Sequence, residues 1–408
     1  MKNQPIINIG CLGSVSDGKS TLVEILTGIK TQRHSSEKKR NITVKQGYAN
    51  MKIWQEDMSD DYHTTDSNSS SFMTEDNEQC HLVNHISWVD CPGHQELIQT
   101  MLSSISLMDG AIVVIAVDQP LDKKPQLIQH LAAAKLGKLK NLIICMNKID
   151  LVKKDILLLR KKELDELLAQ YDIKPFVIIP TCFNKNIGIK YILRAIMNLY
   201  NPLNYMERMS ESPLFRISRT FDINKPGTNW DSVNGGVIGG SLFTGTLKVG
   251  DTIEIRPGQL SKLPTGKISF QPIKTTVLSI KTDTSELEQI IPGGLIGIRT
   301  DLDPFYCKND ALAGNVCGII GSLPNVFSDI MVDIKMVTTF GFVWEPAVSD
   351  IVMIQIGTKI SEAKLVQIGK KFKFELTKPV CISDNQHIII CRNLDKVLRI
   401  VAEAIVTY

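Results

Sequence analysis

Eight residues, Gly13-Ser14-Val15-Ser16-Asp17-Gly18-Lys19-Ser20, fit the spacing G-x-x-x-x-G-K-[ST]. Such a loop curls its backbone N–H groups around an anion, because glycines keep Cβ atoms out of the way. Lys19 then offers a point charge to the outer phosphates of a nucleotide. Ser20 offers a hydroxyl to Mg²⁺, and Thr21 opens a helix whose N-terminus faces the negative charge. Gly13, Ser16, Asp17, Gly18, Lys19, Ser20 and Thr21 are therefore candidate phosphate contacts.

Two further clusters follow in chain order. Asp90-Cys91-Pro92-Gly93-His94 ends an apolar run. A carboxylate at that place can hold the hydration shell of Mg²⁺, and Gly93 can approach a terminal phosphate. Asn147-Lys148-Ile149-Asp150 ends a second apolar run. The Asp150 carboxylate can accept two hydrogen bonds from guanine, N1–H and the exocyclic amine, a pair that adenine does not present. Lys148 has a stem long enough to lie over the base. The three signals together specify GTP/GDP with Mg²⁺. A weaker fourth signal is Thr181-Cys182, where a backbone N–H can reach the guanine oxygen. Thr43, in Arg40-Asn41-Ile42-Thr43, is a candidate third Mg²⁺ ligand beside Ser20 and Asp90, present only with the terminal phosphate and hence part of a switch.

These residues need a frame. Ile6 to Gly10, Ile86 to Val89, Ala111 to Val117, Leu142 to Met146 and Val177 to Pro180 read as strands. Several are apolar throughout, as in strands buried on both faces. Helical patterns at Ser20–Thr27, Gln126–Lys135 and Lys154–Gln170 separate them, which predicts βαβ units and a parallel sheet. Residues 56–79 are acidic and Ser-rich and are expected to form a flexible surface insertion with no folded element. Beyond Tyr200-Asn201-Pro202, short β-type runs alternate with Gly and Pro, the mark of small antiparallel barrels. The expected division is a nucleotide-binding domain over 1–204, one β-barrel over 205–323 and a second over 324–408.

Composition narrows the class. The chain has 408 residues, 46 basic and 43 acidic, for a net charge of +3. That balance does not by itself call for nucleic acid. Nine cysteines are scattered without a C-x-x-C pair, which suits small buried residues in a reducing compartment. No apolar leader and no run of about eighteen apolar residues is present, so a cytoplasmic chain with no membrane association is expected.

The chain resembles the gamma subunit of eukaryotic and archaeal translation initiation factor two, a three-domain relative of elongation factor Tu. The resemblance rests on the segment from Arg40 to Asn50, on Val89 to His94 and on Asn147 to Val152. It continues in the second domain through Phe221 to Gly227, Gly235 to Gly240, Leu247 to Asp251 and Pro292 to Gly297, and more weakly in the third through Leu376 to Cys381. Asn41 stands where elongation factors usually carry Gly. The implied fold is an α/β P-loop GTPase domain followed by two antiparallel β-barrel domains. The implied function is GTP-dependent carriage of methionylated initiator tRNA to the small ribosomal subunit, within a heterotrimer with alpha and beta subunits. GTPase-activating and nucleotide-exchange factors are implied partners, and hydrolysis drives release. By the same resemblance His94 orients the attacking water and Tyr48 lies in a segment that meets the tRNA end.

The chain departs from the family at several positions. Ser14 and Asp17 stand where histidines are usual, and an acid beside phosphates is expected to weaken the site. Thr181-Cys182 replaces Ser-Ala. Only Cys80 remains where many members carry cysteine pairs, so no zinc is expected. No arginine is evident to reach the terminal phosphate, so intrinsic hydrolysis is expected to be slow, and a partner can restore about a thousandfold or more. Lys30, Arg33, Lys38, Lys39 and Arg40, with Arg216, Arg219, Lys267 and Lys274, are candidate contacts to tRNA phosphates. Two other functions fit the same residues: an elongation-type GTPase delivering another aminoacyl-tRNA, which Asn41 argues against, and a GTP-binding assembly module with little hydrolysis.

Overall fold

The structure, a computed structural model, describes residues 3–31, 47–57, 59–92, 98–139, 141–199, 202–283, 285–337, 343–394 and 397–407. The described chain divides into two compact units, one up to residue 201 and one from residue 202 onward.

The first unit is built on one mixed sheet. Its elements are β1 (Ile7–Leu12), α1 (Lys19–Thr27), β2 (Gly47–Glu56), β3 (Tyr62–Asp66), β4 (Phe72–Met73), β5 (Gln79–Asp90), α2 (Ile98–Ile105), β6 (Gly110–Ala116), α3 (Pro125–Leu136), β7 (Leu142–Asn147), α4 (Lys154–Gln170), β8 (Val177–Pro180) and α5 (Ile189–Met197). The strand order is β3-β2-β5-β1-β6-β7-β8, with β4 paired to β5. Strands β5, β1, β6, β7 and β8 run parallel, while β2, β3 and β4 are antiparallel additions at one side.

The parallel strands form because their residues are apolar on both faces. Every residue of β6, Gly-Ala-Ile-Val-Val-Ile-Ala, is buried. Register then sets the site. Cys11 pairs with Asp90 and Ala116 with Asn147, so the carboxyl ends of β1, β5, β6 and β7 open onto one edge. Loops at that edge are where open α/β sheets bind ligands. Helix α1 stops at Gly28, whose φ of 71° is the left-handed cap and whose N–H returns to the Glu24 carbonyl.

The segment expected to hold no folded element is partly folded. Within residues 56–79, β3 pairs with β2 from Met51–Asp66 to Gln55–Tyr62, and Phe72 and Met73 pair with Cys80 and Gln79. A backbone ladder needs no apolar composition, so the Ser and Asp content did not reveal it. The Phe72 ring lies 5.2 Å from the His63 ring and 6.4 Å from the Trp54 ring. Trp54 Nε1–H donates to Thr65 Oγ1 at 2.8 Å. The Glu56 carboxyl meets His63 Nε2 at 2.7 Å, and hydrogen bonds from Ser59 and then His63 lower its pKa.

The second unit opens with α6 (Pro202–Ser210) and continues as two closed antiparallel barrels. The first uses β9 (Leu214–Phe221), β10 (Val237–Thr244), β11 (Leu247–Lys248), β12 (Thr252–Lys262), β13 (Ile268–Thr282), β14 (Ser285–Leu287), β15 (Gln289–Ile290), β16 (Gly293–Thr300) and β17 (Val316–Ile319). The order β12-β17-β9-β10-β16-β13 closes by pairing β12 with β13. Alternate residues, among them Phe215, Ile217, Ile253, Ile255 and Ile298, fill its core. The second barrel uses β18 (Val326–Met336), β19 (Ile351–Ile356), β20 (Lys359–Gln367), β21 (Phe372–Cys381), β22 (His387–Leu394) and β23 (Val397–Thr407), closed in the order β18-β21-β20-β19-β22-β23. Val332, Ile354, Leu365, Phe374 and Val406 are inside it. Arg256 donates to the carbonyls of Leu323 and Pro324 in the connecting segment at 3.0 Å, and Thr358 Oγ1–H makes a buried bond to the Ile217 carbonyl of the first barrel at 3.2 Å.

All nine cysteines are free and eight are buried. Burial pushes Cys391 up to about 12, so it packs as an uncharged thiol.

Candidate nucleotide site

The loop between β1 and α1 has the shape its spacing predicts. Gly13 has a φ of 139° and Gly18 one of 106°, values an L side chain rarely adopts. A Cβ on Gly13 would stand 2.2 Å from the Val114 carbonyl oxygen. Lys19 is buried and folds back so that Nζ–H donates to the Ser14 carbonyl at 2.7 Å. That bond holds the ammonium over the loop. Ser16 is exposed with a φ of 64°, and Thr21 follows in the first turn of α1.

Asp17 does not face outward. Its side chain is 1 % exposed, and Oδ1 lies 2.5 Å from Lys124 Nζ. Oδ1 also accepts from the Ala116 N–H at 3.2 Å, and Oδ2 from the Ser14 N–H at 2.8 Å. The acid thought to trouble the phosphates is thus turned into the protein and paired. At the start of the loop, the Gly13 N–H donates to Nδ1 of buried His130 at 2.8 Å. Burial, helped by the charge of Lys19, lowers the His130 pKa to about 3, so the ring is neutral and Nδ1 accepts.

Ser20 Oγ–H donates to Asp90 Oδ2 at 2.7 Å, and Thr31 Oγ1–H to the same oxygen at 2.6 Å. The Ser20 hydroxyl and the Asp90 carboxylate are hard oxygen donors at the phosphate end of the loop, a set that fits Mg²⁺. No three His, Cys, Asp or Glu side chains among the described residues gather to hold a metal by themselves. A Mg²⁺ bound here would have to draw the rest of its ligands from phosphate and water. Thr43 and His94 lie outside the described residues, as do Arg40, Asn41 and Gly93.

The second motif is locked to the first. Asn147 Nδ2–H donates to the Asp17 carbonyl at 2.9 Å, and Asn147 Oδ1 accepts from the Phe183 N–H at 3.3 Å. Lys148 takes a left-handed φ of 64°, and its Nζ lies 3.3 Å from Asp118. The Asp150 carboxyl is lowered by a hydrogen bond from Cys182 and by Lys185, 3.3 Å away, so it is an acceptor at neutral pH. The expected spare amide at Thr181-Cys182 is absent. The Thr181 N–H donates to Met146 and the Cys182 N–H to Ile187, so these residues shape the site through Asn147 and Asp150 instead.

Lys124, His130, Thr31, Phe183 and Lys185 were not legible in the sequence. Lys124 and His130 reach the loop from 107 and 117 residues away, and no local pattern signals that contact. Among the candidate tRNA contacts, Arg219 is paired with Asp310 and lies over Phe221, and Arg216 lies 3.7 Å from the centre of the Phe243 ring. Lys267 and Lys274 are exposed on β12 and β13's hairpin side of the first barrel. Arg33, Lys38 and Lys39 lie outside the described residues.

Residues 4–202 match the elongation factor Tu GTP binding domain and residues 235–326 match elongation factor Tu domain 2. Structural neighbours agree on the fold. A bacterial selenocysteine-specific elongation factor superposes with a TM-score of 0.73 at 21% identity, covering 98% of this chain and 58% of that one. The elongation factor SelB of Methanococcus maripaludis, solved with a GTP analogue, gives 0.71 at 20% identity, covering 100% and 80%. Fold and site together define a translational GTPase of the elongation factor Tu class. Residues 329–406 match the C-terminal domain of initiation factor eIF2 gamma. The eukaryotic translation initiation factor 2 subunit gamma of Encephalitozoon cuniculi is 35% identical over 412 residues, 98% of this chain and 92% of that protein. Its counterpart in Schizosaccharomyces pombe is 33% identical over 99% and 94%. The chain belongs to the gamma-subunit family of eukaryotic translation initiation factor 2.

Proposed function

We propose that this GTPase carries methionylated initiator tRNA to the small ribosomal subunit in the cytoplasm, as the GTP-binding member of a heterotrimer with alpha and beta subunits. One observation carries the nucleotide half of this reading. Asn147 bonds both the phosphate loop, at the Asp17 carbonyl, and the Phe183 N–H beside Cys182, which supports reading the base and phosphate motifs as one site. Family membership over nearly the full chain supports the tRNA half.

The assigned roles follow from chemistry. The backbone of Gly13 to Ser20, Lys19 and the start of α1 at Thr21 bind the phosphates. Asp150 selects guanine, with Asn147, Lys148, Thr181 and Cys182 shaping its pocket. Ser20 and Asp90, joined by Thr43 when GTP is bound, would hold Mg²⁺, which would supply charge neutralisation at the phosphates. His94 orients a water whose oxygen attacks the terminal phosphorus while the bond to the GDP oxygen breaks. The products are GDP and phosphate. Loss of that phosphate releases Thr43 and the surrounding segment, which ends tRNA binding. No helix among the described residues is long and apolar enough to cross a membrane.

The test is tRNA binding by the chain assembled with its partner subunits, loaded with a non-hydrolysable GTP analogue or with GDP. Tight binding only in the GTP-analogue form supports the carrier. Equal binding in the two forms contradicts it.

A further inference from the structure

We infer that Lys124 is a positioning residue for the nucleotide: its ammonium neutralises Asp17 and keeps the one carboxylate of the phosphate loop out of the field of the phosphates. The inference deepens the nucleotide-site reading and rests on it.

Asp17 is the only acid among residues 13–20. It sits inside the turn that must receive a polyanion, and it is buried, so water does not screen it. A lone carboxylate there repels phosphates through the protein. The two groups are 2.5 Å apart, with side chains 1 % and 8 % exposed. The position of Lys124 is otherwise unfavourable. It is the N-cap residue of α3, followed by Pro125, where the helix dipole disfavours a cation. Its own helix therefore gives no reason for a buried lysine, whereas Asp17 does. Helix α3 reaches the loop a second time through His130, whose Nδ1 accepts the Gly13 N–H. One helix thus grips the loop at both Gly13 and Asp17, the first fixing its entry and the second its only charge of the wrong sign.

A charge cycle in the full chain tests this, with Lys124→Met, Asp17→Asn, the double variant and Lys124→Arg. The readouts are Kd values for fluorescent GDP and GTP, with thermal melting alongside. Lys124→Met leaves an unpaired buried carboxylate and is expected to raise both Kd values about tenfold or more. Asp17→Asn removes the charge but keeps only one acceptor oxygen for the Ser14 and Ala116 N–H groups, so this variant, not the parent, is the reference for the double variant. The double variant, having lost the charge as well as its partner, is expected within about threefold of Asp17→Asn. Lys124→Arg is expected to stay near the parent. Rescue by deleting a charge is an outcome that a merely space-filling role for Lys124 does not produce. If Lys124→Met does not fold, the double variant must still fold and bind. Wild-type affinity in folded Lys124→Met, or a double variant that binds no better than Lys124→Met, overturns the inference. A parent chain that fails to bind either nucleotide overturns the site assignment instead.

Discussion

Alanine at position 18 probes how firmly the phosphate loop and the guanine motif are joined. Gly18 has a φ of 106°, and an added Cβ would stand 2.5 Å from Asn147 Nδ2 and 3.3 Å from the Phe183 ring. Holding an L residue in that backbone region costs about 1–3 kcal/mol. Asn147 must also withdraw from the Asp17 carbonyl, now 2.9 Å away, which forfeits about 1 kcal/mol for a neutral hydrogen bond. The sum, about 2–4 kcal/mol, corresponds to a rise in nucleotide Kd of roughly 30- to 1,000-fold when the loop alone absorbs it. When the whole first unit absorbs it, the same energy lowers Tm by roughly 4–16 °C for a unit of this size. Fluorescent GDP titration and melting curves with and without GDP separate the two cases. Gly18→Ala with both parental affinity and parental Tm would refute the reasoning, because the contact distances leave no cheap place for the methyl group.

Three further predictions follow from the site. Asp150→Asn exchanges an acceptor pair for one donor and one acceptor, so affinity for GDP is expected to fall roughly a hundredfold while xanthosine diphosphate gains; competition between the two measures it. His94→Ala is expected to lower partner-stimulated turnover at least about a hundredfold and leave nucleotide Kd unchanged, since water orientation acts only in the chemical step. His130 is held neutral with a pKa of about 3, below its ordinary value. Its contribution to stability is thus fully present above about pH 6.5 and is lost as pH falls toward 3, approaching about 1.4 kcal/mol per unit. In urea unfolding at pH 7.5 and pH 5, His130→Asn, which keeps an acceptor for the Gly13 N–H, is expected to show the smaller loss.

Chemistry confined to a short stretch was readable before the fold. The residues Gly13 to Ser20, Asp90 and Asn147 to Asp150 announce themselves because backbone curvature, a charge and a carboxylate must occur at fixed spacings on the ends of successive strands. The register, Cys11 against Asp90 and Ala116 against Asn147, comes from the structure, since runs apolar on both faces do not by themselves fix the pairing. Contacts made across the sheet were not readable. Lys124 and His130 belong to a helix whose pattern signals only its packing, and nothing near either residue names the loop it touches. The β3–β4 segment was hidden for a different reason. Its stability comes from main-chain pairing with β2 and β5 and from one aromatic cluster at Trp54, His63 and Phe72, against a background of Ser, Thr and Asp. Asp17 shows both sides. Its type and place were plain, but the direction of its carboxylate depended on a lysine 107 residues away.

A GTP-switched carrier selective for the initiator must distinguish two tRNAs that bear the same amino acid. The chain, assembled with its partner subunits and loaded with a GTP analogue, is titrated with methionylated initiator tRNA and, separately, with methionylated elongator tRNA. Both carry the same amino acid, so only the tRNA body differs. Tighter binding of the initiator, lost when GDP replaces the analogue, is the predicted result. Equal binding of the two tRNAs would contradict the account and point to an elongation-type carrier, and binding of neither would point to an assembly module.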